Sequence, residues 1–295
     1  TIEKDVMRSY SAGHIPTEQS HAIIAELSEA LDDDTFRLYP GIAYRHILVV
    51  KGHPELLDLQ YSPPHDITDR HVAEHLPVGD GAKLLLDYMS RAHALLRDSS
   101  VNRHRESERL ARATDVWPFW PGIAPSGMVP FEQARGLRAA MTSGVDLLNG
   151  LAVLLDIDRL DIPGVTDGPD NDCAAQATGA LDALKGHDLV VVHVESPDEA
   201  AHAGDAAAKI EAIEAIDREI VSRLLVHSEP IRVLAMPDHP TPVGLKTHCG
   251  EAVPFVMQGL DVKGNGARGF DEACASATGL FLDPGRGVMD LLLAD

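Results

Sequence analysis

The sequence has few aromatic residues, few cysteines and no long apolar run. Aromatics make up 4% of the 295 residues, so aliphatic side chains must fill the core. The three cysteines, Cys173, Cys249 and Cys274, are odd in number and far apart, which argues against a disulfide framework. No apolar run approaches the roughly 20 residues that a membrane helix requires. These absences favour a globular protein of a reducing compartment, and we predict a cytoplasmic location.

Positive charge is also in short supply. The formal net charge of −21 argues against nucleic acid or an anionic membrane as a partner. An anionic small molecule stays open as a substrate, because a local arginine, lysine or metal can outweigh the overall field. The sequence also leaves assembly into a homo-oligomer open.

Strand-like and helix-like segments alternate along the chain, which is typical of an α/β fold. The segment 116–130, VWPFWPGIAPSGMVP, is rich in proline and interrupts this alternation of strands and helices. We therefore predict two domains, at residues 1–114 and 115–295. The pattern predicts helices at 15–31, 81–96, 206–225 and 288–293, and strands at 45–51, 188–195, 231–236 and 254–257.

Side chains that bind metals follow two of the predicted strands. Asp198 and His202 are spaced i, i+4, so one helical turn would present both on one face. Asp238 and His239 follow the next strand, and His248 comes nine residues after His239. Either pair alone is more often a surface pair or a helix cap. Their combination at strand exits, where sites of α/β sheets form, predicts binding of a divalent metal.

The other histidines carry a weaker signal. His193 lies within a predicted buried strand, and we interpret it as a hydrogen-bonded core residue. His14, His65 and His104 lie in polar segments and are expected to face solvent.

Several motifs together resemble a known family. The stretch VVVHVESPDEAAHAGD, followed by MPDHPTPVGLKTHCGEAVPFV, is similar to the cofactor-independent phosphoglycerate mutases of the archaeal type, within the alkaline phosphatase superfamily. SYSAGHIPTEQ, GIAYRHILVVKG, SPPHDITD and VNRHR agree with it, so the resemblance covers essentially the whole chain. SYSAGHI also resembles a bacterial branch labelled as proposed homoserine kinases.

The resemblance implies a fold, two metals and a reaction. The fold would be a doubly wound, alkaline-phosphatase-like core at 115–295 with a smaller α/β cap at 1–114. Asp198, His202 and His248 match the ligands of one divalent metal, and Asp238 and His239 match half of a second. Manganese or zinc is typical, and magnesium is an option. The implied reaction interconverts 3- and 2-phosphoglycerate in glycolysis through a phosphoserine intermediate.

A small phosphorylated carboxylate needs cationic side chains around it. Arg45 and Arg105 match arginines of the family's cap domain, and Lys246 lies two residues before His248. Arginine suits such a ligand because its guanidinium binds a carboxylate or phosphate in a bidentate manner. Arg45 is the stronger candidate, since it leads directly into a strand. An exposed arginine without a ligand is the alternative at either position.

The sequence departs from the family in two places. No serine matches the family's nucleophile, and the opening strand that ends in Asp-Gly-Met is not found. We therefore expect a fragment without the N-terminal segment and its catalytic serine, inactive by itself. In the segment 163–177, PGVTDGPDNDCAAQA, Gln176 falls near a family lysine, which puts the exact substrate in question. Two alternatives stay open: a metal-dependent phosphatase, phosphonate hydrolase or phosphotransferase, and an inert metal-binding chain.

Overall fold

The computed structural model describes residues 1–294, which form two compact units, Thr1–Pro125 and the residues from Ser126 onward. The sequence placed the boundary earlier, after residue 114. Val116 packs against the core of the N-terminal unit, and the Trp117 indole donates a hydrogen bond to the carbonyl of Ser62 at 2.8 Å. These contacts agree with the inclusion of residues 115–125 in the N-terminal unit. Within residues 1–294, no helix is long and apolar enough to cross a bilayer.

The N-terminal unit packs helices against a small antiparallel sheet. Strand β3 (Phe36–Tyr39) pairs with β4 (Ile47–Val50), with Phe36 opposite Val50. The remaining elements are β1 (Ile2–Glu3), β2 (Val6–Met7), α1 (Thr17–Leu31), α2 (Ala82–Arg97), α3 (Ser100–Ser107) and the 3-10 turns Pro54–Asp58, Pro64–Ile67 and Val72–His75.

The core of this unit follows the helical spacing of its apolar residues. Helix α1 buries Ile23, Ile24, Leu27 and Leu31, and α2 buries Leu85, Tyr88, Ala92 and Leu96. Such i, i+3 and i+4 spacing places the side chains on one face of each helix. The ring of Phe36 lies 4.6 Å from that of Tyr88, which joins the sheet to α2.

The C-terminal unit contains a parallel sheet, which confirms the α/β prediction. Strand β5 (Ala139–Thr142) lies between β6 (Asp158–Arg159) and β7 (Leu189–Val192), with Thr142 opposite Val192. A separate antiparallel pair joins β8 (Arg232–Ala235) to β9 (Val256–Gly259). The α-helices described in this unit are α4 (Phe131–Arg135), α5 (Asp146–Leu154), α6 (Cys173–Ala183), α7 (Ser196–Ala203), α8 (Ala206–Ala215), α9 (Ser222–Leu225), α10 (Glu272–Ala277) and α11 (Val288–Leu293).

Helix α7 carries the first predicted metal ligands. Strand β7 ends at Val192 rather than at 195, and α7 begins at Ser196 with a proline in its first turn. The helix stops at Gly204, whose φ of 76° is a conformation that glycine adopts without strain. The predicted helix 206–225 is interrupted, because Ile216–Val221 forms a π-helical turn between α8 and α9. That turn buries Ile220 against Cys173 and Ala177.

Candidate metal centre

Helix α7 presents a carboxylate and an imidazole side by side. Asp198 and His202 lie one turn apart, and His202 Nε2 is 3.1 Å from Asp198 Oδ2. Both side chains are partly buried, with 19% of the Asp198 side chain and 36% of the His202 side chain exposed. The i, i+4 spacing thus gives the arrangement that the sequence predicted.

The loop that follows β8 carries the other candidates. Asp238 and His239 lie at its start, and His248 lies near its end. The loop is held by the Lys209 ammonium, which donates to the Thr241 carbonyl at 2.7 Å. The Cys249 amide also donates to the carbonyl of Pro240 at 3.1 Å, which brings the two ends of the loop together.

The imidazole of His248 lies next to both Asp198 and His202. Its Nε2 atom lies 3.0 Å from His202 Nε2 and 3.5 Å from Asp198 Oδ1. One ligand atom from each of the three residues lies within 4.8 Å of the others. One carboxylate and two imidazoles form a donor set that zinc, manganese and iron accept.

The hydrogen bonds of His202 leave one of its nitrogens for a cation. Its Nδ1 lies 3.0 Å from the carbonyl of Lys246. Because a carbonyl only accepts, Nδ1 carries a proton, and in the neutral ring Nε2 has a free lone pair. This lone pair points toward the carboxylate of Asp198 and the second imidazole. A carboxylate oxygen and two imidazole nitrogens that converge in this way offer the ligand atoms that a divalent metal needs, so the residues fit such a metal.

Asp238 and His239 adjoin this group. Thr241 donates its hydroxyl to Asp198 Oδ1 at 2.5 Å, so its oxygen accepts from His239 Nδ1 at 3.2 Å. In the neutral ring, His239 Nε2 is then free, and it lies 3.4 Å from Asp238 Oδ2. The His239 ring also packs on the ring of His248, with centroids 3.8 Å apart. Within residues 1–294, no third metal-binding side chain joins Asp238 and His239 in a compact group.

Lys246 is part of the same loop. Its carbonyl fixes His202, and its backbone has a φ of 56°. Its side chain lies against Gly204, because a Cβ added at Gly204 would be 2.7 Å from the Lys246 ammonium nitrogen. The glycine that ends α7 thus makes room for an exposed lysine beside the metal ligands.

The two candidate arginines lie in the N-terminal unit and differ sharply in their exposure to solvent. Arg45 is exposed, and its guanidinium lies 5.1 Å from the centre of the Tyr44 ring. Arg105 is 1% exposed. Its guanidinium donates to the carbonyls of Ala111 and Ala12 at 2.8 and 2.7 Å, and to the side-chain oxygen of Gln19. These contacts occupy the guanidinium inside the unit and favour a structural role for Arg105.

Gln176 is fully buried beneath the end of the parallel sheet. Its amide nitrogen donates to the carbonyl of His193 at 2.8 Å and to the Thr142 hydroxyl at 3.3 Å. Its oxygen accepts from the Asn171 amide at 3.0 Å. The neutral amide therefore joins β5, β7 and the loop before α6 through hydrogen bonds within the protein.

Two contributors to the site were missed from the sequence. Thr241 binds both Asp198 and His239, and the Lys246 carbonyl orients His202. A hydroxyl two residues after an Asp-His pair was the only available signal for Thr241. No signal in the sequence could reveal the role of the Lys246 carbonyl, since a backbone oxygen has no sequence signature.

The fold and the site have the features of a metalloprotein of the α/β class, in which a carboxylate and two imidazoles could hold a metal ion beyond the end of a strand. The profile of the metalloenzyme superfamily matches residues 11–292. The chain is 41% identical over 299 residues to a 2,3-bisphosphoglycerate-independent phosphoglycerate mutase of Methanothrix thermoacetophila, and the match covers 100% of this chain and 74% of the relative. It is 37% identical to a probable mutase of the same name from Geobacter sulfurreducens, with 98% and 72% covered. The chain therefore belongs to the 2,3-bisphosphoglycerate-independent phosphoglycerate mutase family of the metalloenzyme superfamily.

Solved structures share the fold. A protein from Pyrococcus horikoshii matches with a TM-score of 0.73 at 21% identity, over 94% of this chain and 70% of that one. A cofactor-independent phosphoglycerate mutase from Thermoplasma acidophilum matches with a TM-score of 0.59 at 24% identity, over 99% and 74%. These likenesses agree with the α/β architecture described above.

Proposed function

We propose that this protein is a metal-dependent phosphoglycerate mutase, which interconverts 3- and 2-phosphoglycerate without 2,3-bisphosphoglycerate. The observation that carries the proposal is the convergence of Asp198, His202 and His248, in a chain 41% identical to a relative of that name. Such a role in glycolysis would place the protein in the cytoplasm, in keeping with the free thiols of its three cysteines.

Two divalent metals, manganese or zinc, would bind at the site. Asp198, His202 and His248 would hold the first, and Asp238 and His239 would contribute to the second. We expect the first to bind more tightly, because only its ligands form a group of three in the described residues. A bound metal would neutralise charge on the transferring phosphoryl oxygens.

Cationic side chains would bind the substrate. Lys246 would face the phosphate, because its side chain lies beside Gly204 at the end of the helix that carries Asp198 and His202. Arg45 would bind the substrate carboxylate or phosphate, because it is exposed in the N-terminal unit and can form bidentate contacts.

The reaction would pass through a phosphoserine. The serine oxygen attacks the phosphorus of 3-phosphoglycerate, the bond from phosphorus to the 3-oxygen breaks, and a proton moves from the serine to that oxygen. The 2-hydroxyl of the glycerate then takes the phosphoryl group and returns a proton to the serine. In the described part of the chain, no serine hydroxyl bonds to the side chains of the five metal-ligand candidates. Mass spectrometry of the parent protein quenched with substrate would identify the serine.

An enolase-coupled assay with 3-phosphoglycerate and Mn²⁺ tests the function. In the parent protein, which supplies the catalytic serine, we expect formation of 2-phosphoglycerate that is lost in Asp198→Asn and kept in Glu211→Gln, a control at an exposed carboxylate on α8. Phosphate release without 2-phosphoglycerate would indicate a phosphatase instead. Metal binding without any turnover would indicate an inert metal-binding chain.

A further inference from the structure

A second polar group lies where the parallel strands β5 and β7 end. Ser143 and His193 directly follow Thr142 and Val192, which are opposite each other in the sheet. The Ser143 oxygen lies 3.0 Å from His193 Nδ1, and His193 Nε2 lies 3.2 Å from Glu195 Oε2. A serine, an imidazole and a carboxylate are thus joined in a row.

The protons of this row can be placed from its partners. The carboxylate of Glu195 accepts, so His193 Nε2 carries a proton. The Ser143 oxygen already accepts from the Val145 amide at 3.0 Å, which leaves its own proton for His193 Nδ1. Every group then has a suitable partner, and the neutral imidazole has one fixed tautomer.

The backbone of His193 is also held. Its amide donates to the Thr142 carbonyl at 3.0 Å, and its carbonyl accepts from the buried Gln176 amide at 2.8 Å. Because both its backbone and its ring are held, the His193 imidazole has a fixed position, from which Nε2 contacts the Glu195 carboxylate. Its partner Glu195 is only 25% exposed at the side chain.

Glu195 connects this row to the metal centre. One oxygen of Glu195 lies within 4.8 Å of an oxygen of Asp198. Its carbonyl accepts from the amide of Asp198 at 2.8 Å, at the start of α7. The row from Ser143 therefore ends beside a residue that the metal would bind.

We infer that Ser143, His193 and Glu195 form a positioning triad for the metal centre. His193 holds the Glu195 carboxylate beside Asp198, where its negative charge increases the affinity of the centre for a divalent cation. The inference rests on the proposed function only in requiring a metal at Asp198. Groups outside the ligand shell commonly change metal affinity by about 10–100-fold.

Nucleophilic catalysis by Ser143 is a different interpretation of the same row, and the packing disfavours it. Ser143 is 9% exposed. A Cβ added to the neighbouring Gly144 would lie 2.2 Å from the carbonyl carbon of Thr166, so the loop before α6 lies directly on this turn. The position suits a support better than a nucleophile that a substrate must reach.

Two substitutions of His193 separate its two hydrogen bonds. His193→Gln places an amide near the position of Nε2 and keeps a donor for Glu195. His193→Asn places an amide near Nδ1 and keeps only the contact with Ser143. Binding of Mn²⁺ alone to the full chain, by isothermal titration calorimetry, should be weakened about 10–100-fold in His193→Asn and in Glu195→Gln, and less than about 3-fold in His193→Gln.

The outcomes separate the inference from the proposed function. Wild-type affinity in both His193→Asn and Glu195→Gln would overturn the inference alone. Equal losses in the two His193 variants, in step with their melting temperatures, would show a merely structural role and would also overturn it. If His193→Asn does not fold, Glu195→Gln decides, because it changes one atom of a partly exposed side chain. If the wild-type chain binds no Mn²⁺, the proposed metal centre itself is wrong.

Discussion

Thr241 binds Asp198 and His239 at once, because its hydroxyl donates to one and accepts from the other. The first of these residues belongs to the helix after β7, and the second to the loop after β8. The side chain is 5% exposed, so water does not readily replace these bonds. One hydroxyl therefore fixes the orientation of a carboxylate and the tautomer of an imidazole.

Replacement of Thr241 should weaken metal binding without a large loss of structure. In Thr241→Val the hydroxyl is lost but the shape is kept, and we expect Mn²⁺ affinity to fall about 10–100-fold. In Thr241→Ser the hydroxyl is kept, so affinity should stay near that of the wild type. Calorimetric titration with Mn²⁺ measures both, and equal affinities in the two variants would contradict the role of the hydroxyl.

Substitution of Lys246 should affect substrate and metal differently. Lys246→Met removes the ammonium but keeps the backbone carbonyl that orients His202. We expect the kcat/KM of the parent protein for 3-phosphoglycerate to fall about 10-fold or more, with Mn²⁺ affinity unchanged. Lys263→Met, at an exposed lysine, is the matched control. A loss of metal affinity in Lys246→Met, or an equal kinetic effect in the control, would count against a contact with phosphate.

Arg105 should matter for stability. Arg105→Met leaves the carbonyls of Ala12 and Ala111 without their donor, and we expect the free energy of unfolding to fall by about 3 kcal/mol or more. Arg103→Met, at an exposed arginine on the same helix, should change it by about 1 kcal/mol or less. Urea unfolding followed by circular dichroism measures the free energy of unfolding of both variants. A fully stable Arg105→Met protein with a raised KM would instead indicate substrate binding.

His46 should make the N-terminal unit sensitive to acid. Burial, and secondarily the nearby His21, lowers the pKa of His46 from 6.5 to about 4. The unfolded chain therefore binds a proton more readily than the folded chain between these values, so the free energy of unfolding falls as pH drops from about 6.5 toward 4. We expect the free energy of unfolding to fall by an amount on the order of 1 kcal/mol, after allowance for solvent screening.

The variant His46→Asn isolates this effect. An asparagine oxygen can still accept from the Gly41 amide, which now donates to His46 Nδ1 at 3.1 Å. The difference in unfolding free energy between pH 7 and pH 5 should shrink in this variant. His104→Asn, at an exposed histidine, should leave it unchanged. The same pH dependence in wild type and His46→Asn would show that another group is responsible.

The sequence predicted the parts of the site that depend on local spacing. The i, i+4 pair on α7 follows from helix geometry alone, and the second Asp-His pair follows from the end of a strand. The convergence of His248 with Asp198 depends on how the loop after β8 folds back. That fold depends on contacts such as the one between Lys209 and Thr241, which have no local pattern.

Two structural features could not be predicted from local patterns. Strand β5 has the sequence AAMT, and alanine is not favoured in strands, so only its pairing with both neighbours makes it a strand. Arg105 lies on a polar helix face that looks exposed in sequence, and its burial depends on oxygens as distant in the chain as that of Ala12. Both features result from tertiary contacts that override local preference.

Mn²⁺ binding by the wild-type protein, compared with Asp198→Asn, tests the central claim most directly. Free Mn²⁺ can be counted by electron paramagnetic resonance as the protein is titrated. We predict one tight site in the wild type, a weaker second site, and loss of the tight site in Asp198→Asn, because the Asp198 carboxylate lies within 3.5 Å of the Nε2 atoms of both His202 and His248. Equal binding by the two proteins, or no binding by either, would contradict a metal centre at Asp198.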